Sequence, residues 1–375
     1  MQIERSREER VCKAAAIEPA VLSLPLNDEQ LRQYDADGYL VVPGVVEPQL
    51  CDSIVAETWE RLDSFFGLKP EAEKPWAKLP MHSCVDLWHV PGLYELRQHP
   101  HVYSVFAQLY ETHKLCVSID RVSVKPTKYD EDGNVGTNEG LPVHTDWNFW
   151  KRSEAYPEIQ GGICLADCPV GGGGFFCIPG FHKPEVIADY KRRFESGEFG
   201  DNRIPHSMFV SFADKEYARD HVIEVPLKKG DLVVWNSCLP HNGGQNTIPG
   251  LWRLQAFVRF LALDGPFVTP EIAKDHRFYR KVAFAATQSG EKPTHYSTGT
   301  KRRRLILSHT FPDIGAKTKD REKEIHAPPV LSPLGRRIWG VDKWPSKPRQ
   351  TPRDDSAAAA AVAADRVDAE QPASQ

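Results

Sequence analysis

Cys116-Val117-Ser118-Ile119-Asp120-Arg121-Val122-Ser123-Val124 decides the fold class. Apolar and polar residues alternate along it, and side chains alternate faces along a strand, so it reads as a half-buried β-strand. Similar short strands are expected near 160–167, 174–178, 222–225, 231–236 and 253–262, separated by Gly and Pro clusters. Many short strands with glycine turns and few helices predict a mainly β domain, a sandwich or jelly roll.

The first hundred residues read differently and are expected to pack outside that body. Asn27 is an N-cap before Asp28-Glu29-Gln30-Leu31, and Gly38 is the matching stop. Tyr39-Leu40-Val41-Val42 is a short strand broken by Pro43-Gly44. Pro48 opens a longer helix with an apolar stripe at Leu50, Ile54, Val55 and Leu62. Residues 1–25 are a loose arm, 26–345 one domain with an extension from about 264, and 346–375 an Ala/Pro-rich tail of low complexity. In the extension, helical turns are expected near 270–280. Lys301-Arg302-Arg303-Arg304 reads as a solvated basic face, and Leu331 to Gly340 carries enough apolar residues to dock on the domain.

Composition bounds the function classes. The chain has 375 residues, 41% hydrophobic and 26% charged, with a formal net charge of -4. A nucleic-acid binder is usually basic, so none is expected. No apolar run reaches membrane-span length, so no membrane partner is expected. Met1 to Pro19 carries mixed charges and no apolar core, and Pro372-Ala373-Ser374-Gln375 is not a peroxisomal address, so a cytoplasmic location is expected. Eight cysteines are scattered without a CxxC pair and read as buried free thiols.

The chemistry centres on His144-Thr145-Asp146. At a strand end, residues two apart share a face, so an imidazole and a carboxylate stand side by side. They match two of the three ligands of a 2-His-1-carboxylate facial triad. Alone the pattern also suits a surface turn. A third ligand has to come from a distant strand. Gly230-Asp231-Leu232-Val233-Val234-Trp235-Asn236 reads as a turn feeding a buried strand that delivers His241, which follows a proline and precedes a glycine-rich loop. Twelve residues on, Arg253 opens another strand. A buried arginine is costly unless it meets an anion, either a bound carboxylate or a structural ion-pair partner. Arg259 rivals it for the same role.

These stretches resemble, in order, the phytanoyl-CoA dioxygenase family of Fe(II)/2-oxoglutarate oxygenases. Asp28 through Gly44 resembles the family's N-terminal helix and strand, and Val143-His144-Thr145-Asp146-Trp147 its proximal iron motif. Gly173 through Lys183 resembles its strand and Pro-Gly turn, and Gly230 through His241 and Arg253 its distal motif. The resemblance spans roughly 27–345 and implies a double-stranded β-helix, a jelly-roll variant. It implies that His144, Asp146 and His241 bind Fe(II), that Arg253 holds the 5-carboxylate of 2-oxoglutarate, and that Lys125 contributes further cosubstrate contacts. O2 and a small organic substrate complete the implied reaction, a hydroxylation releasing succinate and CO2. Asp146 is intact, whereas related halogenases replace that carboxylate. Departures fall at Gly162, where an aromatic is expected, and at Phe181, in place of a serine. The alternatives are a non-redox metal-binding jelly roll, hydrolase or isomerase, and an inactive scaffold.

Overall fold

The computed structural model describes residues 24–72, 84–85, 90–118, 120–127, 143–146, 149–150, 158–199, 210–211, 215–265 and 330–345, with isolated positions 268, 270, 273 and 274. The chain divides into two compact units, Met1–Asp342 and Lys343–Gln375. The first carries all the regular structure below. Most of 270–280, the basic run at 301–304, the N-terminal arm before residue 24 and the tail after 345 lie outside the described residues.

Helix α1 (Asp28–Asp37) forms where the cap predicts. The Asn27 side chain accepts from Gln30 N, the Gln30 side chain accepts from Asn27 N, and Gly38 closes the helix at φ 78°. Strand β1 is Tyr39–Val42. Helix α2 (Pro48–Phe66) starts on its proline. Its buried stripe is Cys51, Ile54, Thr58 and Leu62, with Leu50 and Val55 on the margins. After β2 (Cys84–Val85) come α3 (Pro91–Arg97) and α4 (Pro100–Leu109), the latter buried from Val102 to Gln108.

The single strand expected over 116–124 is two, β3 (Leu115–Val117) and β4 (Val122–Lys125). Both pair with one long partner, β12 (Arg253–Ala262), β3 through Val117 and β4 from Val122. Between them Asp120 presents its carbonyl to the buried Arg97 guanidinium at 2.9 Å. The alternation does not mark a half-exposed strand either. Ser118, Asp120 and Ser123 are buried together with the valines, because helices cover the outer face.

The remaining elements are β5 (His144–Thr145), β6 (Ile159–Cys164), β7 (Phe175–Cys177), α5 (Pro184–Glu195), β8 (Val210–Ser211), α6 (Lys215–His221), β9 (Ile223–Val225), β10 (Leu232–Asn236), β11 (His241–Gly243), β12 (Arg253–Ala262) and α7 (Pro333–Ile338). Two antiparallel sheets result. The larger runs β1-β10-β6-β12-β4-β2, with β3 also on β12; the smaller runs β8-β5-β11-β7-β9. Neighbours in space are distant in sequence, the mark of a jelly roll rather than a meander.

The sheets share a core. Phe175 and Cys177 of the small sheet pack with Val233, Trp235 and Cys164 of the large one, and the Phe175 and Trp235 rings lie 4.8 Å apart. Helix α4 covers the other side of the large sheet. A Cβ on Gly161 would come 2.9 Å from the Phe106 ring, so the glycine permits that close approach. The 331–340 segment docks as expected. Ile338 and Trp339 are fully buried, and Trp339 stacks on Tyr94 at 5.1 Å. Six described cysteines are free and buried.

Candidate active site

The small sheet brings the two histidines together by register. His144 of β5 and His241 of β11 are direct cross-strand partners, with ring centroids 4.8 Å apart. Asp146 lies in the bend just past β5. Thr145 between them is fully buried, turned away from the pair, as strand alternation requires. His144 Nε2 is 3.5 Å from Asp146 Oδ1, and His241 Nε2 is 4.0 Å from Asp146 Oδ2. One donor atom from each residue lies within 4.8 Å of the other two.

The donor chemistry suits a divalent metal. His241 Nδ1 is 2.8 Å from the Leu239 carbonyl. A carbonyl only accepts, so Nδ1 carries the proton and the Nε2 lone pair faces the cluster. Burial, with His144 alongside, pushes the His241 pKa down to about 4, which keeps the ring neutral and ready to ligate. Two imidazole nitrogens and one carboxylate on neighbouring strands form the donor set of non-haem Fe(II) sites.

The large sheet supplies what surrounds the triad. Gln160 of β6 donates through Nε2 to Asp146 Oδ2 at 2.5 Å. Its own Oε1 accepts from Arg259 of β12 at 3.0 Å, and that guanidinium also pairs with Glu158 at 2.9 Å. The amide is therefore fixed in one orientation, its nitrogen toward Asp146. The sequence offered Arg259 as a rival to Arg253, but its guanidinium is engaged with Glu158 and Gln160. Gln160 was overlooked as a site residue. The signal was a lone amide in the otherwise apolar, wholly buried strand Ile159–Cys164.

Arg253 opens β12 opposite Lys125 of β4 and is 3% exposed. Its Nε donates to the Gly173 carbonyl at 3.0 Å. Lys125 Nζ donates to the Gly243 and Gly244 carbonyls at 2.8 and 2.5 Å. Both cations lie over Gly243, where a Cβ would come 2.6 Å from Arg253 Nη2 and 3.2 Å from Lys125 Nζ. Gly243 thus keeps open a small cationic cradle on β11. It is two residues from His241 and so shares its face.

Among the described residues, no other histidine joins the cluster. The His182 ring packs against Gly38, so the Pro-Gly turn uses it in packing. His206 and Trp147 lie outside the described residues. Phe149 and Trp150, just past Asp146, belong to an aromatic cluster with Phe181 and Tyr190.

Residues 34–253 match the profile of the family described as Phytanoyl-CoA dioxygenase (PhyH), a span that includes the triad and Arg253. The chain belongs to the phytanoyl-CoA dioxygenase family. Among curated relatives, "Ava biosynthesis cluster protein O" of Aspergillus versicolor is 25% identical over 236 residues, 56% of this chain and 70% of that protein. A "Putative phytanoyl-CoA dioxygenase" of Dictyostelium discoideum is 24% identical over 265 residues, 57% of this chain and 69% of that protein. Among solved structures, GlcNAc Inducible Gene 2 of Candida albicans superposes with a TM-score of 0.52 at 16% identity, covering 97% of this chain and 89% of that one. That likeness concerns the fold alone. Membership in the phytanoyl-CoA dioxygenase family accords with the jelly roll and makes a 2-oxoglutarate-dependent oxygenase the enzyme type. Among the described residues, no helix is long and apolar enough to cross a membrane.

Proposed function

We propose that this chain is an Fe(II)- and 2-oxoglutarate-dependent dioxygenase that hydroxylates a small organic metabolite, with release of succinate and CO2. The observation that carries the reading is the cross-strand pairing of His144 with His241, with Asp146 beside them. Those three would hold Fe(II) on one face. With 2-oxoglutarate and O2 bound, the metal supplies the oxidising chemistry, and the protein's part is to bind, orient and exclude water.

Arg253 would take the far carboxylate of 2-oxoglutarate. Residues two apart on a strand are about 6.8 Å apart. That separation between His241 and Gly243 is comparable to the span of a five-carbon diacid. A diacid bound beside His241 would thus have its other end within reach of the guanidinium over Gly243. A charge-assisted carboxylate contact there offsets the burial of Arg253. Lys125 adds positive charge at the same end while tying β4 to the Gly243–Gly244 backbone. Gln160 holds Asp146 Oδ2, leaving Oδ1 on the His144 side for the metal. The Phe149–Trp150 aromatic cluster beyond Asp146 suits a partly apolar substrate.

The test is turnover. Purified protein with Fe(II), 2-oxoglutarate and O2 is expected to form succinate slowly alone and faster with a substrate, whose product gains one oxygen atom. Substrate-stimulated succinate with a product of unchanged oxygen content would keep the oxygenase type and refute hydroxylation.

A further inference from the structure

A second cluster of metal-ligating side chains lies outside the candidate active site. Glu47 and His99 are the residues immediately before α2 and α4, and His101 is in the first turn of α4. One donor atom from each lies within 4.8 Å of the other two. We propose that Glu47, His99 and His101 form a second metal site, for a divalent transition cation of the Zn(II) type, which ties the start of α2 to the start of α4.

Three observations favour ligation over an ordinary surface ion pair. His101 Nδ1 is 3.3 Å from the Val45 carbonyl. It is therefore the protonated nitrogen, and the Nε2 lone pair is kept for a ligand, as in most metal-bound histidines. His99 Nε2 meets Glu47 Oε2 at 3.0 Å, while its other ring nitrogen is buried without a hydrogen-bond partner. All of that ring's hydrogen bonding is thus directed at Glu47, with the proton on Nε2 because a carboxylate only accepts, and a metal bound there would displace that proton. The rings of His99 and His101 lie edge to face, 5.1 Å apart.

The donor atoms, all within 4.8 Å of one another, have to draw in around a metal. Ligands around tetrahedral zinc stand about 3.4 Å apart, given bonds of about 2.1 Å. The Glu47–His99 pair is already inside that, and the Glu47 side chain is 59% exposed and can adjust. Two imidazoles and one carboxylate leave the fourth position to water. The partial positive charge of the two helix starts opposes a cation held by charge alone. The site therefore selects an imidazole-binding metal over Mg(II) or Ca(II), which prefer oxygen. Occupancy would reach the fold through the 44–46 segment. There Gly44 N donates to Asp231 Oδ1 at 2.9 Å and Val46 N to the Gly230 carbonyl at 3.1 Å, at the turn that launches β10.

The experiment is Zn(II) titration of metal-free full-length protein by calorimetry, with a count of bound metal. Wild type is expected to take two equivalents, and His101→Ala and Glu47→Gln one each, the second site weakening at least tenfold. His144→Ala/His241→Ala, stripped of the triad, is expected to keep the Glu47 site, so failure of one site is distinguishable from failure of the other. Mg(II) at the same concentrations is expected to leave it empty. A single equivalent in wild type that vanishes only with the triad would overturn the proposal. So would a second equivalent unchanged in both His101→Ala and Glu47→Gln, or equal uptake of Mg(II).

Discussion

Replacing Gln160 by leucine tests the chain of contacts behind the Asp146 carboxylate. The amide is 5% exposed and spans Arg259 Nη2 at 3.0 Å and Asp146 Oδ2 at 2.5 Å. Leucine fills the space but abandons both partners. A buried polar group left without its hydrogen bond costs about 1–3 kcal/mol, more when charged. On metal binding, loss of a contact behind a ligand typically costs about 10–100-fold in affinity, or about 1.4–2.8 kcal/mol. The sequence of contacts also predicts a gradient. Glu158→Gln acts one bond further away, on Arg259 rather than on Asp146, and is expected to change metal affinity less than about threefold. The assay is anaerobic Fe(II) titration of wild type and both variants, with melting curves to show that each is folded. A folded Gln160→Leu that binds Fe(II) within about threefold of wild type would refute the positioning role.

Three further outcomes are expected. Gly243→Ala puts a methyl 2.6 Å from Arg253 Nη2, so it should weaken 2-oxoglutarate binding at least tenfold in a cosubstrate titration while Fe(II) affinity stays near wild type. The metal-free protein should lose stability in acid, because the His241 pKa is about 4 in the fold against about 6.5 unfolded. The unfolded chain takes up that proton first, so the contribution is complete above about pH 6.5, is lost between there and about pH 4, and amounts to about 3 kcal/mol; a melting temperature flat across that window would contradict it. Trp339→Ala removes a fully buried ring stacked on Tyr94 and should cost about 3–5 kcal/mol in urea denaturation, whereas a cost under about 1 kcal/mol would mean that the α7 segment does not dock.

Much of the frame was legible because local rules and tertiary packing agree there. Asn27 and Gly38 bound α1 by capping alone, and β10 and β12 fall where apolar runs follow glycine turns. The proximity of His144 and Asp146 was legible by strand alternation, and His241 stood out by the unlikeliness of its setting. The strand over 116–124 was misread in two respects, because both follow from neighbours far along the chain. The Asp120 carbonyl accepts from Arg97 between the two strands, and the helices bury the face that alternation marks as exposed. Gln160 was legible only as a lone amide in an apolar strand, not as a neighbour of Asp146, for the same reason. Nothing local in Ile159–Cys164 says that one end of its amide meets Arg259 and the other Asp146. The Glu47–His99–His101 cluster escaped attention because its members are joined by two helix starts rather than by a motif.

The most direct test of the central claim is anaerobic addition of Fe(II) and 2-oxoglutarate, followed through the weak visible metal-to-ligand charge-transfer band. Wild type is expected to develop the band, His144→Ala to lose it, and Arg253→Ala to require a much higher 2-oxoglutarate concentration for it. A wild-type protein that gives no band and binds zinc tightly at the triad instead would contradict the account and point to non-redox metal chemistry.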